Sequence, residues 1–284
     1  MKERIKKINF IVLLMCVFIL ITGCGAGKSS EKKQNTADKT SESAQNLKIE
    51  KDNVAEGKNE EVQSEADIAD AAKEENGKII VIDPGHSSVM PDGSELLGPG
   101  SSEYKAADAI GTSGISTGVM EYELTLQLSL KLKSVLETQG YTVILTRESS
   151  DVAVSCVQRA ETANNAGADA YIRMHANGSD DSSAQGAMTI CITPQNPYIA
   201  EQYQSSHALS EAIVNNLSNS TGCENDGVWE TDSMSGNNWS KVPTTIVEVG
   251  YMTNPQEDVL LATDDYQNQV VQGIAAGVGQ YLGM

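Results

Sequence analysis

Apolar residues in the last three quarters of the chain alternate between short aliphatic runs and spaced rows. Residues 78–82 (KIIVI) form such a run and stop at Asp83-Pro84-Gly85-His86, the pattern of a buried strand entering a turn. In residues 121–139, Leu124, Leu128, Leu132, Val135 and Leu136 recur at three- and four-residue steps before Gly140. That spacing predicts an amphipathic helix with a glycine stop. Residues 141–145 read as a strand, 155–167 as a helix with the same kind of stop, and 168–174 as a strand running into His175. Strands follow at 186–192 and 244–249, and helices at about 198–221 and 259–282. Residues 87–118, rich in Gly and Ser with two prolines, read as one long loop, a length usually tied to function or disorder. Alternating helices with aliphatic, unpatterned strands predict a single α/β domain with a mostly parallel sheet.

The N-terminal part follows another logic. Lys2, Arg4, Lys6 and Lys7 precede an apolar run of twelve residues, 10–21, which is short of the roughly 20 needed to span a bilayer. Small residues then precede Cys24. The block resembles a bacterial lipoprotein signal, so residues 1–23 are expected to be removed and Cys24 to be lipidated, anchoring the protein outside the cytoplasm. Residues 25–77 hold no aromatic residue and few large aliphatic ones. They cannot bury enough apolar surface to offset the entropy of ordering, so residues 24–77 read as a flexible acidic tether. Residues 78–284 are enough for one domain with a sizeable core. The formal charge of −19 drops to about −22 without the signal, which argues against a nucleic-acid partner. Three cysteines remain in the domain, Cys156, Cys191 and Cys223, in no metal or redox spacing. They read best as small buried hydrophobes.

Three polar residues stand at or just past strand ends: His86, His175 and Glu248. Ligand sites of open α/β sheets collect at the carboxyl ends of strands. At 100° per residue, Glu121 falls on the leucine face of its helix and Glu123 about 200° away. A buried carboxylate needs a partner, and a metal would serve; an interaction with the helix dipole is the plainer alternative. Glu248 interrupts an apolar strand in a domain with few basic residues to pair with it. Two histidines, one ligand glutamate and a second, free glutamate make up a zinc hydrolase set.

The stretches IIVIDPGHSS, GVMEYELTLQLSLKLKSVLETQGYTVILTR, ADAYIRMHANGS and VPTTIVEVGYMTNPQED together resemble the zinc-dependent "type 3" N-acetylmuramoyl-L-alanine amidases. The resemblance covers essentially all of residues 78–284. It implies a twisted six-stranded mixed sheet flanked by helices, and one zinc ion held by His86, Glu121 and His175. It also implies Glu248 as the catalytic base and peptidoglycan as the substrate. The membrane lipid reached through Cys24 and a regulator that the sequence does not identify complete the expected partners. This chain departs from many relatives at Ser87-Ser88 and at Arg173-Met174. Period 2 puts Arg173 and Asn177 on the strand face of His175, so both are candidate substrate contacts; an ion pair at the core's rim is the competing role for Arg173. A stem-peptide peptidase, or a surface lipoprotein that binds glycan without turnover, are the rival functions. A pure binder has no need of an unligated base such as Glu248.

Overall fold

The computed structural model describes residues 76–284, so the expected signal, Cys24 and nearly all of the expected tether lie outside the described residues. No helix among the described residues is long and apolar enough to cross a membrane. The elements are β1 (Ile79–Pro84), β2 (Ser94–Leu96), β3 (Tyr104–Ala106), α1 (Glu121–Thr138), β4 (Thr142–Leu145), α2 (Cys156–Ala166), β5 (Ala170–Asn177), β6 (Ala187–Cys191), α3 (Tyr203–Thr221), β7 (Asn225–Glu230), α4 (Ser235–Asn238), β8 (Thr244–Tyr251), α5 (Pro255–Leu261) and α6 (Asp264–Leu282). The main sheet has six strands in the order β4-β1-β5-β8-β6-β7. All neighbours are parallel except β6 and β8. The expected six-stranded, mostly parallel mixed sheet is therefore the one observed.

Each face of the sheet buries a different set. Ile80, Ile82, Ile172, Met174, Val247 and Val249 pack under α1, α3 and α6, against Leu124, Leu128, Ile213 and Ile274. Val81 and Tyr171, on the other face, meet Ala160 and Ala163 of α2. The leucine row of α1 is buried as its spacing predicts, and Gly140 and Gly167 take φ of 86° and 58° where the helices stop.

Three expectations need correction. The loop 87–118 contains an antiparallel hairpin, β2 with β3. The closing helix begins earlier and is broken in two. Asn254 caps α5, with Pro255 in its first turn, and Thr263 accepts from Tyr266 N at 3.4 Å to start α6 anew. Strand β7, which residue patterning missed, is an edge strand of sequence NDGVWE. With one side unpaired and little burial, it has no need of the apolar pattern that marks the central strands.

Helices α3 and α6 approach closely at glycines. A Cβ on Gly277 would lie 2.6 Å from Ile213 Cα, whereas one on Gly279 would meet nothing within 4 Å. Helix propensity alone favours alanine over glycine by about 1 kcal/mol at either position. Gly277→Ala is nevertheless expected to destabilise the protein, by about 1–3 kcal/mol from overpacking. Gly279→Ala should be neutral or stabilising. Urea unfolding of both variants checks this, and equal effects would contradict the packing argument.

Candidate active site

The site begins with a turn held from below. β1 ends in Asp83-Pro84, and His86 adopts φ 60°, the only positive φ of a non-glycine residue among the described residues. The left-handed conformation costs a residue with a Cβ roughly 1–2 kcal/mol. Two arginines and a threonine offset that cost by gripping the turn's carbonyls. Arg147 donates to Pro84 O at 2.9 Å and to Gly85 O at 2.9 Å. Thr125, one turn into α1, donates to Gly85 O at 2.8 Å. Arg159, only 1% exposed, donates to Pro84 O at 2.7 Å and His86 O at 3.0 Å.

Arg159 also pairs with two buried carboxylates, Asp83 at 2.8 Å and Asp108 at 3.0 Å. Burial alone would raise the pKa of Asp83, but the charges of Arg159 and Arg173 and a hydrogen bond from Thr146 hold it well below the usual range. Asp108 in turn stands 3.4 Å from His86 Nδ1, and that nitrogen lies 2.7 Å from Ala109 O. Giving the Nδ1 proton to this carbonyl leaves the Nε2 lone pair facing the other way, a common support for a metal-binding histidine.

That lone pair meets two others. His86 Nε2, His175 Nδ1 and Glu121 Oε1 lie 3.1 Å from one another on all three edges. One proton can bridge a single edge of such a triangle, whereas a cation on its axis satisfies all three corners. Donors around tetrahedral zinc at 2.0–2.1 Å would stand roughly 3.3 Å apart. The donor set and its spacing therefore fit zinc. Glu121, 3% exposed at the first position of α1, is fixed by Thr112 N on Oε2 at 2.9 Å and by Ala176 N on Oε1 at 3.2 Å. Its partner on the helix, Glu123, is exposed and accepts from Met120 N, as the helical-wheel argument requires. Burial raises the pKa of Glu121, but the two histidines outweigh it and lower it far below normal. Burial also lowers His175, and contacts with Glu121 do not recover it. Burial opposes charge on His86 too, but there Asp108 and Glu121 prevail and carry its pKa up to about 10.

The walls are close. A Cβ on Gly85 would lie 2.5 Å from His175 Cε1, and one on Gly111 would lie 2.7 Å from Glu121 Oε2. Glycine at both positions lets the backbone reach the ligands.

Glu248 is the direct cross-strand partner of His175 in the β5–β8 register. Its Oε2 is buried and has no hydrogen-bond partner. Burial first, then the negative charge of Glu121, pushes its pKa up to about 8. The other sequence candidates fare differently. Asn177, at the end of β5, uses Oδ1 on Gly178 N, and its Nδ2 has only Met188 Sδ at 3.8 Å. Arg173 is 5% exposed, and its guanidinium engages Asp83 at 3.1 Å, Asn237 at 3.1 Å and Cys156 Sγ at 3.8 Å. Its charge is spent inside the protein, the ion-pair alternative, and not held open for a substrate carboxylate. His207 lies on α3 beside Glu230, at 3.5 Å, and takes no part in the triad. Sequence reasoning missed Asp83, Asp108, Arg147 and Arg159. The signal for Arg159 was an arginine on the alanine face of a helix.

Comparison with known proteins agrees with this geometry. The N-acetylmuramoyl-L-alanine amidase family model matches residues 80–280. A germination-specific N-acetylmuramoyl-L-alanine amidase of Bacillus subtilis is 26% identical over 222 residues, spanning 73% of this chain and 81% of the relative. An N-acetylmuramoyl-L-alanine amidase of Mycobacterium tuberculosis is 26% identical over 207 residues, 70% of this chain and 86% of the relative. Among solved structures, the catalytic domain of CwlV from Bacillus (Paenibacillus) polymyxa superimposes with a TM-score of 0.58 at 28% identity, covering 72% of this chain and 98% of that one. The amidase of Mycobacterium abscessus shares the fold, with a TM-score of 0.66 at 23% identity over 72% of this chain and 99% of that one. The chain belongs to the N-acetylmuramoyl-L-alanine amidase family, whose members cleave the amide bond between N-acetylmuramic acid and L-alanine in peptidoglycan.

Proposed function

We propose that this amidase is a single-zinc hydrolase in which His86, Glu121 and His175 hold the ion and Glu248 handles the protons. The observation that carries the reading is the orphaned Oε2 of Glu248, buried next to a complete ligand triad. A buried carboxylate without a partner is costly, and its placement has no structural return. Zinc held by the triad would supply Lewis acidity for the scissile carbonyl and for the attacking water. Glu248 accepts the proton of that water and returns it to the leaving amine of L-alanine. One carboxyl can do both, as base before the bond breaks and as acid afterwards. The open Nδ2 of Asn177, on the same strand face as His175, is placed to donate to a carbonyl of the substrate.

Glu248→Gln keeps the shape and removes only the proton acceptor. The variant is expected to fold, to keep one zinc per chain by elemental analysis, and to lose about 10²–10⁴ in hydrolysis rate. Activity is read as new L-alanine amino groups released from purified wall. A zinc-loaded variant with near-normal turnover would remove Glu248 from the chemistry, and loss of zinc would make it a ligand instead.

Peptidoglycan lies outside the cytoplasm, so the enzyme acts there. The finer placement, anchorage by lipid on Cys24, is supported by the sequence pattern around that residue. One acyl chain binds a membrane only marginally, so stable anchoring needs the two or more chains that a lipoprotein cysteine carries. Cys24→Ser is expected to release the enzyme from the membrane fraction or to block its processing. Unchanged retention, after carbonate washing, of a variant whose signal has been cleaved would exclude the lipid anchor.

A further inference from the structure

The floor of the site continues past Glu248. In β5 every residue is buried except His175 and Asn177; in β8 every residue except Glu248; in β6 every residue except Met188. The register sets these exceptions side by side, with His175 opposite Glu248 and Glu248 opposite Met188. Three adjacent strands thus share one row of half-buried side chains that runs from the triad towards the β7 edge. On β7 the pairing slips between Asn225 and Val228, so Asp226 and Gly227 both oppose Met188, and Gly227 places no side chain in the path. Two residues further along β7 is Trp229, 46% exposed. It pairs with Ile190, which pairs with Ile246, which pairs with Arg173. Alternation along each strand then puts the indole on the same sheet face as His175 and Glu248. Two strand spacings and two residues separate Trp229 from Glu248, roughly 12 Å by sheet geometry.

The geometry points to Trp229 as a sugar-binding platform that receives a pyranose ring of the glycan strand, about one disaccharide away from the bond that is cut. This rests on the amidase activity and extends it to the substrate beyond the scissile bond. An exposed indole offers an apolar face with negative quadrupole charge, which suits the C–H face of a sugar ring, while the hydroxyls around that ring stay in water. Charge decides between the two arms of the substrate. Among His175, Glu248, Met188, Asp226, Gly227 and Trp229 there is no lysine or arginine, Glu248 and Asp226 are acidic, and the guanidinium of Arg173 is already engaged by Asp83 and Asn237. The stem peptide carries carboxylates that would meet no cation there. The glycan is neutral and meets no such cost. Indole exposure on an edge strand also has a structural cost that folding alone does not repay.

The test compares two substrates bearing the same stem peptide, a single N-acetylmuramoyl unit and a tetrasaccharide. Trp229→Ala is expected to raise KM for the tetrasaccharide about tenfold, the order of one aromatic contact, with kcat little changed. The single-sugar substrate should be turned over as by wild type, and Trp229→Phe should recover most of the loss. Equal losses on both substrates, or none on either, would overturn the platform. A loss that follows stem-peptide length instead would give the indole to the peptide, and a change in sedimentation of Trp229→Ala would give it to a second copy of the chain. Failure of wild type to cleave either substrate would count against the amidase reading itself, separately from Trp229.

Discussion

The buried bridge from Asp83 through Arg159 to Asp108 is the interaction on which the site depends. Asp83 ends the central strand β1, Arg159 comes from α2, and Asp108 from the loop that leads to Gly111 and Thr112. One guanidinium therefore ties the strand end, a helix and the wall of the site, and spends its remaining donors on Pro84 O, His86 O and Val154 O. Burying ions is costly, and such a bridge is rarely better for stability than a well-packed apolar cluster. Its return here is directional. It holds His86 in a conformation that its Cβ disfavours, with Nε2 turned towards Glu121 and His175.

The sheet supplies the rest. His175 and Glu248 come from neighbouring parallel strands in direct register, so their separation is set by backbone pairing and not by flexible loops. Glu121 comes from the first position of α1, where the leucines that follow it fix the helix's rotation against the core. The triad residues and Glu248 are thus carried by β1, α1, β5 and β8 or their ends, all anchored in one hydrophobic layer. The antiparallel β6 extends the sheet beyond β8, and its pairing with β7 shifts register between Ala187 and Thr189.

Much of this was legible in the sequence for identifiable reasons. Aliphatic runs marked the strands β1, β5 and β8, and polar residues interrupting or ending them marked His86, His175 and Glu248. Leucine spacing separated Glu121 from Glu123 because helical geometry leaves no freedom once the buried face is known. The edge strand β7 was not legible from patterning, because its residues face solvent and carry no apolar period. Asp108 was not either, because a partner 51 residues away leaves no local trace, and Arg159 left only the sign of an arginine on the alanine face of its helix. Arg173 shows the limit of periodicity. It was correctly placed on the face of His175, but only the fold reveals that Asp83 and Asn237 already occupy its guanidinium.

Arg159 is expected to position a ligand of the proposed zinc site, beyond stabilising the fold. Arg159→Lys tests this, since a lysine keeps the charge but lacks the planar guanidinium that reaches five partners at once. The direct measurement is the zinc dissociation constant of this variant, obtained by competition with a chromophoric chelator, alongside circular dichroism for the fold. The expected result is a folded protein whose zinc affinity falls by about 10–100-fold, the usual effect of removing a supporting contact around a metal ligand. A folded Arg159→Lys enzyme with native zinc affinity would contradict it.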